Sequence, residues 1–238
     1  MSDPIATIEA LYRYPVKSMA GEPLQRAELG WHGLAGDRRL ALRKVDDRGG
    51  FPFLTAGKMP ELVRFVPETS AGEPLPSHVR TPEGERFAIF DDGLPAEVKK
   101  RHGTSVQMMH FDRGIFDDAL LSIIATTTVS EICRAAGCAE DVRRFRPNVV
   151  VKLEAPVAFQ EDRWVGGRLR IGEAVVAVNT PDVRCAMLNI DPDTARLSPE
   201  MMKAAVRLND NYAGVYCSVL RPGVLEVGQR VYFEPMSL

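Results

Sequence analysis

Short runs of alternating apolar and polar residues, separated by glycine and proline, dominate this sequence. The run "ATIEALYRYPV" near the N-terminus alternates with a period of two, and "RRLALRKVD" repeats the pattern. Near the C-terminus the same pattern returns in "RWVGGRLRIGEAVVAVN", "GVYCSVLRPG" and "LEVGQRVYFEP". A period of two is typical of β-strands with one buried face. Many short strands with regular turn signals predict a protein rich in β-barrel structure.

The middle of the N-terminal half carries weaker strand signals. We expect short strands in "FPFLTA" and "LVRFVP", and a hairpin in "HVRTPEGERFAIF" that turns at Pro82–Gly84. Residues 91–104 are charged and are expected to be irregular. Because the strand pattern lapses there, a domain division is expected between residues 91 and 118.

Two segments have the spacing of amphipathic helices. In "TTTVSEICRAAGC" the threonines are expected to cap the helix and Gly137 to end it. In "SPEMMKAAVRLN", Ser198 is the expected N-cap and Pro199 the first helical residue. Two modest helices among many strands predict an α+β protein that is predominantly β.

Composition and targeting signals exclude several classes of protein. The 238 residues carry a formal net charge of −2, which gives no reason to expect nucleic acid or an anionic membrane as a partner. No run has the length of a transmembrane helix, and the N-terminus lacks the pattern of a signal peptide. The four cysteines form no metal or cluster pattern, so free thiols in a reducing cytoplasm are expected.

Common catalytic signatures are missing from the chain. It contains no GxGxxG after a strand, no GxxxxGK[ST], no HExxH and no GxSxG. The four histidines are scattered and none has the spacing of metal ligands. Acid/base, zinc and serine chemistry therefore have no support in the sequence.

Cys185 is the best candidate for a reactive side chain. It follows Arg184 at the point where an apolar run ends, and a turn signal, "DPDT", comes soon after. A neighbouring cation would favour the thiolate, which is a soft metal ligand and a nucleophile. The alternative is a structural cysteine, which spacing alone favours because cysteine is often buried.

Cations next to polar residues occur at three predicted strand ends. They are Lys17 with Ser18, Arg38 with Asp37, and Arg146 with Asn148. If the three ends meet in the fold, they would surround a phosphate-bearing ligand. The N–H groups at the start of the predicted helix 126–136 would add to such a site. Three ordinary solvated strand ends are the alternative.

Five segments, taken in order, resemble one family. The segments "YPVKSMAG", "GDRRLAL", "FRPNVVV", "RCAMLNIDPDT" and "RPGVLEVGQRVYF" are similar to MOSC-domain proteins. The branch that they resemble has an N-terminal β-barrel domain and includes the mitochondrial amidoxime reducing component and its bacterial relatives. The resemblance covers nearly the whole chain. It implies a MOSC N-terminal β-barrel domain at residues 1–112, packed on a MOSC β-barrel domain with a few helices at residues 113–238.

The resemblance also implies a cofactor and its ligands. Cys185 falls at the cysteine that coordinates molybdenum in the molybdenum cofactor, and it would be the catalytic residue. The implied cofactor-binding residues are Lys17, Ser18, Arg38, Thr128, Arg146, Asn148, Arg184 and Asp191. Among these, Arg184 would favour the thiolate or orient a neighbouring group, and Asp191 would order the loop behind the cysteine.

The activity implied by the resemblance is the reduction of small N-hydroxylated or N-oxide substrates. The chain ends at Leu238 without a cysteine set for a cluster, so a separate electron-donor protein is expected. Leu188 and Asn189 stand where the family pattern has two threonines, and Ala195 stands where it has glycine. These departures leave two alternatives open. One is a carrier of the cofactor or of sulfane sulfur on Cys185, and the other is a scaffold that binds no metal.

Overall fold

The computed structural model describes residues 3–116 and 118–235, and in these ranges the protein is mostly β. The strands are β1 (Ala6–Arg13), β2 (Glu22–Leu24), β3 (Arg26–Gly30), β4 (Gly33–Leu34), β5 (Leu40–Lys44), β6 (Val66–Glu68), β7 (His78–Arg80), β8 (Arg86–Ala88), β9 (Val106–His110), β10 (Leu121–Ala125), β11 (Val149–Leu153), β12 (Gly167–Ile171), β13 (Ala174–Val183), β14 (Tyr212–Arg221), β15 (Gly223–Glu226) and β16 (Arg230–Pro235). The helices are α1 (Gly93–His102), α2 (Thr126–Ala136) and α3 (Glu200–Asn209). The α+β, predominantly β fold expected from the sequence is confirmed.

A closed barrel forms the centre of the molecule. Its strands follow the order β11-β10-β14-β13-β12-β16-β1, and β1 closes the barrel by pairing with β11 as well as with β16. All these pairs are antiparallel except β10 with β11, which run parallel. Ala6, Ile8 and Leu11 of β1 are buried in the barrel interior, and the alternation shifts at a bulge between Ile8 and Ala10. Closure leaves no exposed edge among these strands, which accounts for the many short alternating runs in the sequence.

Three smaller sheets surround the barrel. They are β15-β3-β4, β5-β9 and β6-β7-β8. A second apolar core lies under β5, β9 and α1, and a third lies between α2, α3 and the barrel wall. Because β1 and β3 pair with strands of the C-terminal half, the two halves of the chain share sheets. The division between residues 112 and 113 stays a prediction.

Helix α1 contradicts the expectation that residues 91–104 are irregular. Leu94 and Val98 are its only large apolar residues, so the sequence shows too little apolar periodicity to predict a helix. Both are fully buried, and Arg101 adds an ion pair to Glu97 within the helix and another to Glu61 outside it. Tertiary packing and ion pairs therefore stabilise this helix, although its sequence lacks an amphipathic pattern.

The two predicted helices are confirmed, but their predicted N-terminal caps are wrong. Helix α2 ends at Gly137 in the left-handed conformation as expected, yet it begins after Ala125 and no threonine side chain caps it. Helix α3 begins at Glu200 and not at Pro199, and the Ser198 side chain makes no capping hydrogen bond. The backbone carbonyl of Ser198 accepts a hydrogen bond from the N–H of Met201 instead (3.1 Å).

The strand predictions in the N-terminal half are partly confirmed. The hairpin holds, with Val79 of β7 paired to Phe87 of β8. In "LVRFVP" only the last residues form a strand, β6, because residues 60–64 form a 3-10 helix in which Leu62 and Val63 are buried. In "FPFLTA" the strand pairing is limited to one bridge at Phe53.

None of the helices in the described ranges combines the length and the apolar character needed to cross a bilayer.

Candidate functional site

A cleft of about 520 Å³ lies at the end of β13, and both halves of the sequence form its walls. This volume is in the range of pockets that bind cofactors and other small molecules. Six of the residues expected at a site line the cleft, namely Lys17, Ser18, Arg38, Arg146, Arg184 and Cys185. The three basic strand ends and the cysteine are therefore neighbours in space.

Strained backbone conformations coincide with the basic strand ends. Ser18, Arg38 and Arg146 have φ angles of 68°, 51° and 52°, which is the left-handed region that residues with a side chain seldom adopt. Each such residue costs about 1–3 kcal/mol, and such strain persists where the surrounding structure enforces it. All three line the cleft. Strain of this kind often marks a binding site.

The buried ring of Tyr14 holds two of the cations. The guanidinium carbon of Arg146 lies 4.2 Å from the centre of the ring, and that of Arg38 lies 5.1 Å from it. The Arg146 guanidinium also donates to the carbonyl oxygen of Met19 (2.7 Å), and that of Arg38 donates to the carbonyl oxygen of Arg146 (3.1 Å). Asp37, which is fully buried, pairs with Arg38 at 2.5 Å. Aromatic, carbonyl and carboxylate contacts thus allow two cations to lie side by side.

Asn148 supports the cleft without lining it. Its Oδ1 accepts from Arg38 (3.4 Å) and from the backbone N–H of Ser122 (3.2 Å), while its Nδ2 donates to the carbonyl oxygen of Tyr12 (3.3 Å). These contacts join three chain segments behind the wall. Asn148 therefore positions Arg38 from behind the cleft wall, and Asn148 itself does not line the cleft.

Cys185 is exposed and lies two residues beyond the end of β13. Its backbone is extended, and a 3-10 helix (Ala186–Asn189) follows it directly. Residues alternate between the two faces of an extended chain, so the inward side chain of Arg184 leaves the next side chain facing outward. The sulfur is consequently accessible from the cleft that the basic residues line.

Arg184 is buried, and its guanidinium group binds protein oxygens. Nη1 donates to the carbonyl oxygen of Phe145 (2.6 Å), Nε to that of Ala213 (2.8 Å), and Nη2 to Asp182 Oδ2 (2.6 Å). Gly214 makes room for it, because a Cβ there would lie 2.6 Å from the carbonyl oxygen of Ile123 and 3.3 Å from Nη2 of Arg184. Of the two roles expected for Arg184, these contacts support the orientation of neighbouring groups.

Asp191 organises the loop that follows Cys185. Its Oδ1 accepts from the backbone N–H of Thr194 (2.8 Å), and its Oδ2 accepts from Arg144 (2.5 Å). These hydrogen bonds and the Arg144 guanidinium lower the pKa of Asp191 although burial opposes the shift. Ala195, where the family pattern has glycine, closes this loop with a φ of 58°. The structure thus gives Asp191 a role in loop order and does not bring it to the cleft wall.

Thr128 lies apart from the cleft. It is fully buried, and its hydroxyl oxygen accepts a hydrogen bond from the backbone N–H of Phe159 (2.8 Å). The start of α2 is also occupied, because the backbone N–H of Ala125 donates to Glu161 (3.2 Å). The threonines at this helix start hold the segment around residues 157–161 and do not face the basic strand ends.

Sequence reasoning missed six polar residues of the cleft wall, namely Thr55, Asp118, Ser122, Arg144, Asp182 and Tyr216. Burial raises the pKa of Asp182, and the Arg184 guanidinium opposes this shift. Burial and the nearby Asp182 raise the pKa of Tyr216. Arg144 belongs to the cluster of arginines at residues 143, 144 and 146. This cluster is the sequence signal that could have indicated Arg144 as a site residue. Asp182 and Tyr216 lie in strands, where the pattern does not show which face reaches a cleft.

The fold and the cleft define a class, a β-barrel protein with an accessible thiol in a cation-rich pocket. Among the described residues, no three His, Cys, Asp or Glu side chains converge to hold a metal ion. The MOSC domain model matches residues 99–232, and the MOSC N-terminal beta barrel domain model matches residues 5–126. Because each match spans more than half of the chain, the protein belongs to the MOSC family.

Individual proteins are similar to this chain at low sequence identity. The chain is 36% identical over 83 residues to the molybdenum cofactor sulfurase of Drosophila grimshawi, covering 34% of this chain and 10% of the relative. It is 26% identical over 170 residues to the mitochondrial amidoxime reducing component 2 of Rattus norvegicus, covering 66% of this chain and 49% of the relative. The matched regions thus span half or less of these relatives. The solved structure of the YuaD protein from Bacillus subtilis shares the fold, with a TM-score of 0.55, 16% identity, and coverage of 98% and 97% of the two chains.

We expect the four thiols to react with a small neutral thiol reagent in an order set by their exposure. Cys185 is exposed, Cys138 is half-buried, and Cys133 and Cys217 are buried. One thiol should therefore react rapidly in the folded protein, and Cys185→Ser should remove that phase while Cys138→Ser leaves it intact. The measurement is the time course of labelling with peptide mapping. A rapid phase that survives in Cys185→Ser would contradict the exposed sulfur.

Ala195→Gly should increase the free energy of unfolding by about 0.5 kcal/mol. Relief of the left-handed strain is worth about 1–2 kcal/mol, and the added freedom of glycine in the unfolded chain offsets part of it. Chemical denaturation measures the change. Ala135→Gly inside α2 is the matched control and should lower the free energy of unfolding by about 1 kcal/mol. A loss of stability in Ala195→Gly would show that the φ of 58° is not a source of strain.

Proposed function

We propose that this protein binds the molybdenum cofactor in the cleft and reduces N-hydroxylated or N-oxide substrates. The single observation that carries the proposal is the exposed thiol of Cys185 in a cleft whose walls carry Lys17, Arg38 and Arg146. A thiolate is a soft ligand suited to a metal of this kind, and the cations suit an anionic group on the same ligand. Membership in the MOSC family supports the same proposal.

The chemistry of the donors in the cleft fits an anionic cofactor. Arg144 lines the wall and is 7% exposed, and its Nε has no hydrogen-bond partner among the described residues. A buried donor of this kind indicates a missing acceptor, since buried polar groups are nearly always hydrogen-bonded. The cleft volume of about 520 Å³ is also sufficient for an organic cofactor.

Each residue has a separate task in the proposal. Cys185 is the metal ligand, and Lys17, Ser18, Arg38 and Arg146 hold the anionic part of the cofactor. When bound, the molybdenum cofactor supplies oxygen-atom transfer, so that a substrate N–OH group, two electrons and two protons give N–H and water.

Other residues position this set. Arg184 fixes the strand end that presents Cys185, Asn148 holds Arg38, and Asp191 orders the loop behind the cysteine. Thr128 is left out of the proposed ligand set, because its hydroxyl already serves Phe159. The proposal therefore keeps most of the residues that the sequence indicated and divides them into ligands and supports.

The residues that depart from the family pattern bear on the substrate. The Asn189 side chain accepts from the backbone N–H of Met202 at the start of α3 (3.0 Å), so it has a structural task away from the cleft. Leu188 is buried against α3 and also borders the cleft. An apolar wall at this position favours a substrate with an apolar part. The electrons are proposed to come from a separate donor protein.

Cys185→Ser should lose bound molybdenum and the reduction of an amidoxime by an artificial electron donor. The physical reason is that a serine hydroxyl is a harder and far less acidic ligand than a thiol. The measurements are elemental analysis and an activity assay of freshly purified protein. Cys138→Ser is the matched control, since it removes a half-buried thiol outside the cleft, and it should keep both properties. Metal content and activity that survive in Cys185→Ser would refute the assigned ligand.

A second candidate function is to carry the cofactor, or sulfane sulfur, on Cys185. The similarity to a molybdenum cofactor sulfurase over 83 residues favours it, and so does an exposed thiol that a partner protein can reach. Intact-mass spectrometry distinguishes the two functions. An added mass of one sulfur atom on Cys185 supports the carrier, whereas tightly held molybdenum with turnover supports the reductase.

A further inference from the structure

The C-terminal end of helix α2 carries two cysteines, Cys133 and Cys138, to which no role is assigned above. The helix ends at Gly137, whose φ of 64° is left-handed. The backbone N–H of Cys138 donates to the carbonyl oxygen of Cys133 (3.0 Å), and that of Gly137 donates to the carbonyl oxygen of Arg134 (3.2 Å). These two hydrogen bonds define a Schellman motif, in which the chain folds back over the last turn of the helix.

The motif brings the two cysteines side by side. The residues at the two ends of a Schellman turn commonly have side chains in contact, and Cys133 and Cys138 occupy these two positions. Both pack on the apolar core between α2, α3 and the barrel wall. A disulfide requires Cα atoms closer than about 7 Å. The N···O distance of 3.0 Å and standard bond lengths keep the two Cα atoms within that limit.

The two thiols differ in exposure, which gives them different parts in an oxidation. Cys138 is half-buried, and its sulfur lies 3.7 Å from the carbonyl oxygen of Ala136, to which it donates a weak hydrogen bond. Cys133 is 1% exposed. Burial raises the pKa of Cys133, and the nearby Cys138 thiol adds to the rise, so Cys133 stays protonated. A dissolved oxidant therefore reaches Cys138 first.

We propose that Cys133 and Cys138 form a modification site that a hydroperoxide converts to an intramolecular disulfide. The Cys138 thiol takes one oxygen atom from the peroxide, which gives a sulfenic acid and leaves the peroxide as an alcohol or as water. The Cys133 thiol then attacks this sulfur, an S–S bond forms and water leaves. The two sulfur atoms together give up two electrons to the peroxide, and their two protons leave in the alcohol and the water.

The other two cysteines lie in different surroundings. Cys217 belongs to the barrel core, and Cys185 lies at the cleft. Neither shares the apolar core or the backbone hydrogen bond that joins Cys133 to Cys138. Two thiols held in one short segment meet at an effective concentration in the millimolar range. At micromolar protein, pairing within the segment should therefore exceed pairing between molecules on the order of 100-fold.

The modification site lies behind the polypeptide that follows Cys185, and it is independent of the proposed reductase function. Helix α2 packs on α3, and the Asn189 side chain accepts from the backbone N–H of Met202 in α3 (3.0 Å). A disulfide would hold the last turn of α2 closed and so support the contact between the two helices. It requires neither metal nor turnover.

The test is peptide mapping of the full chain after brief treatment with hydrogen peroxide and alkylation of the remaining thiols. Trypsin cleaves after Arg134, between the two cysteines, so the disulfide joins the peptides 114–134 and 135–143. This linked pair should exceed every other disulfide on the order of 100-fold. Dithiothreitol should return both peptides with free thiols.

Two variants divide the reaction into its steps. Cys133→Ala should stop at the sulfenic acid of Cys138, which dimedone captures, and the captured amount should be severalfold higher than in the parent protein. Cys138→Ser should leave Cys133 reduced, because the remaining thiol is buried. It alters a half-buried side chain and keeps the test decisive if Cys133→Ala does not fold. Cys217→Ala is the matched control, since it also removes a buried thiol, and it should give the linked pair at the parent yield.

Each outcome supports or overturns the site. Linkage of the two peptides in the folded protein supports it. Oxidation of Cys138 to a sulfinic acid without linkage overturns it, and so does a Cys138 that does not react. Linkage that forms only in guanidinium chloride also overturns it, because the folded chain would then hold the two sulfurs apart. Disulfides between molecules through Cys185, with Cys133 and Cys138 left as thiols, have the same meaning.

Discussion

The buried guanidinium group of Arg184 is the interaction on which the candidate site depends. It joins the end of β13 to Ala213 at the start of β14, to Phe145 in the turn before β11, and to Asp182. A buried charge is tolerated only when its donors are satisfied, so Arg184 must face inward. The extended chain then turns Cys185 to the solvent side of the strand end. Gly214 completes the arrangement, because a side chain there would collide with the Ile123 carbonyl and crowd this guanidinium.

The basic side of the cleft is built by strain and by shared partners. Ser18, Arg38 and Arg146 each adopt a left-handed backbone conformation, and each comes from a different turn of the chain. The Arg38 and Arg146 side chains would repel each other without Asp37, the Tyr14 ring and the backbone carbonyl groups that lie among them. The closed barrel supplies the rigid frame that enforces these conformations. A surface built in this way is suited to a single ligand that carries both an anionic group and a metal bound by the thiolate.

The comparison of sequence and structure shows where local patterns suffice. Strands of the barrel and helices α2 and α3 follow from apolar periodicity, because a period of two or of 3.6 reports directly which face is buried. Helix α1 escaped prediction because two apolar residues and an ion-pair network hold it. The predicted threonine N-cap of α2 is wrong for a similar reason, since the Thr127 and Thr128 hydroxyl groups bond to a distant segment in preference to their own helix.

The sequence by itself determined the fold class, the family resemblance and the order of the basic segments and the cysteine along the chain. Only the tertiary structure decided that Lys17, Arg38, Arg146 and Cys185 line one cleft, and that Thr128 lies outside it. It also brought in Asp182, Arg144 and Tyr216, and it disclosed the pair of thiols at the end of α2. The physical reason is that periodicity records burial within one segment. Convergence of side chains depends on strand register and barrel closure, which join residues far apart in the chain.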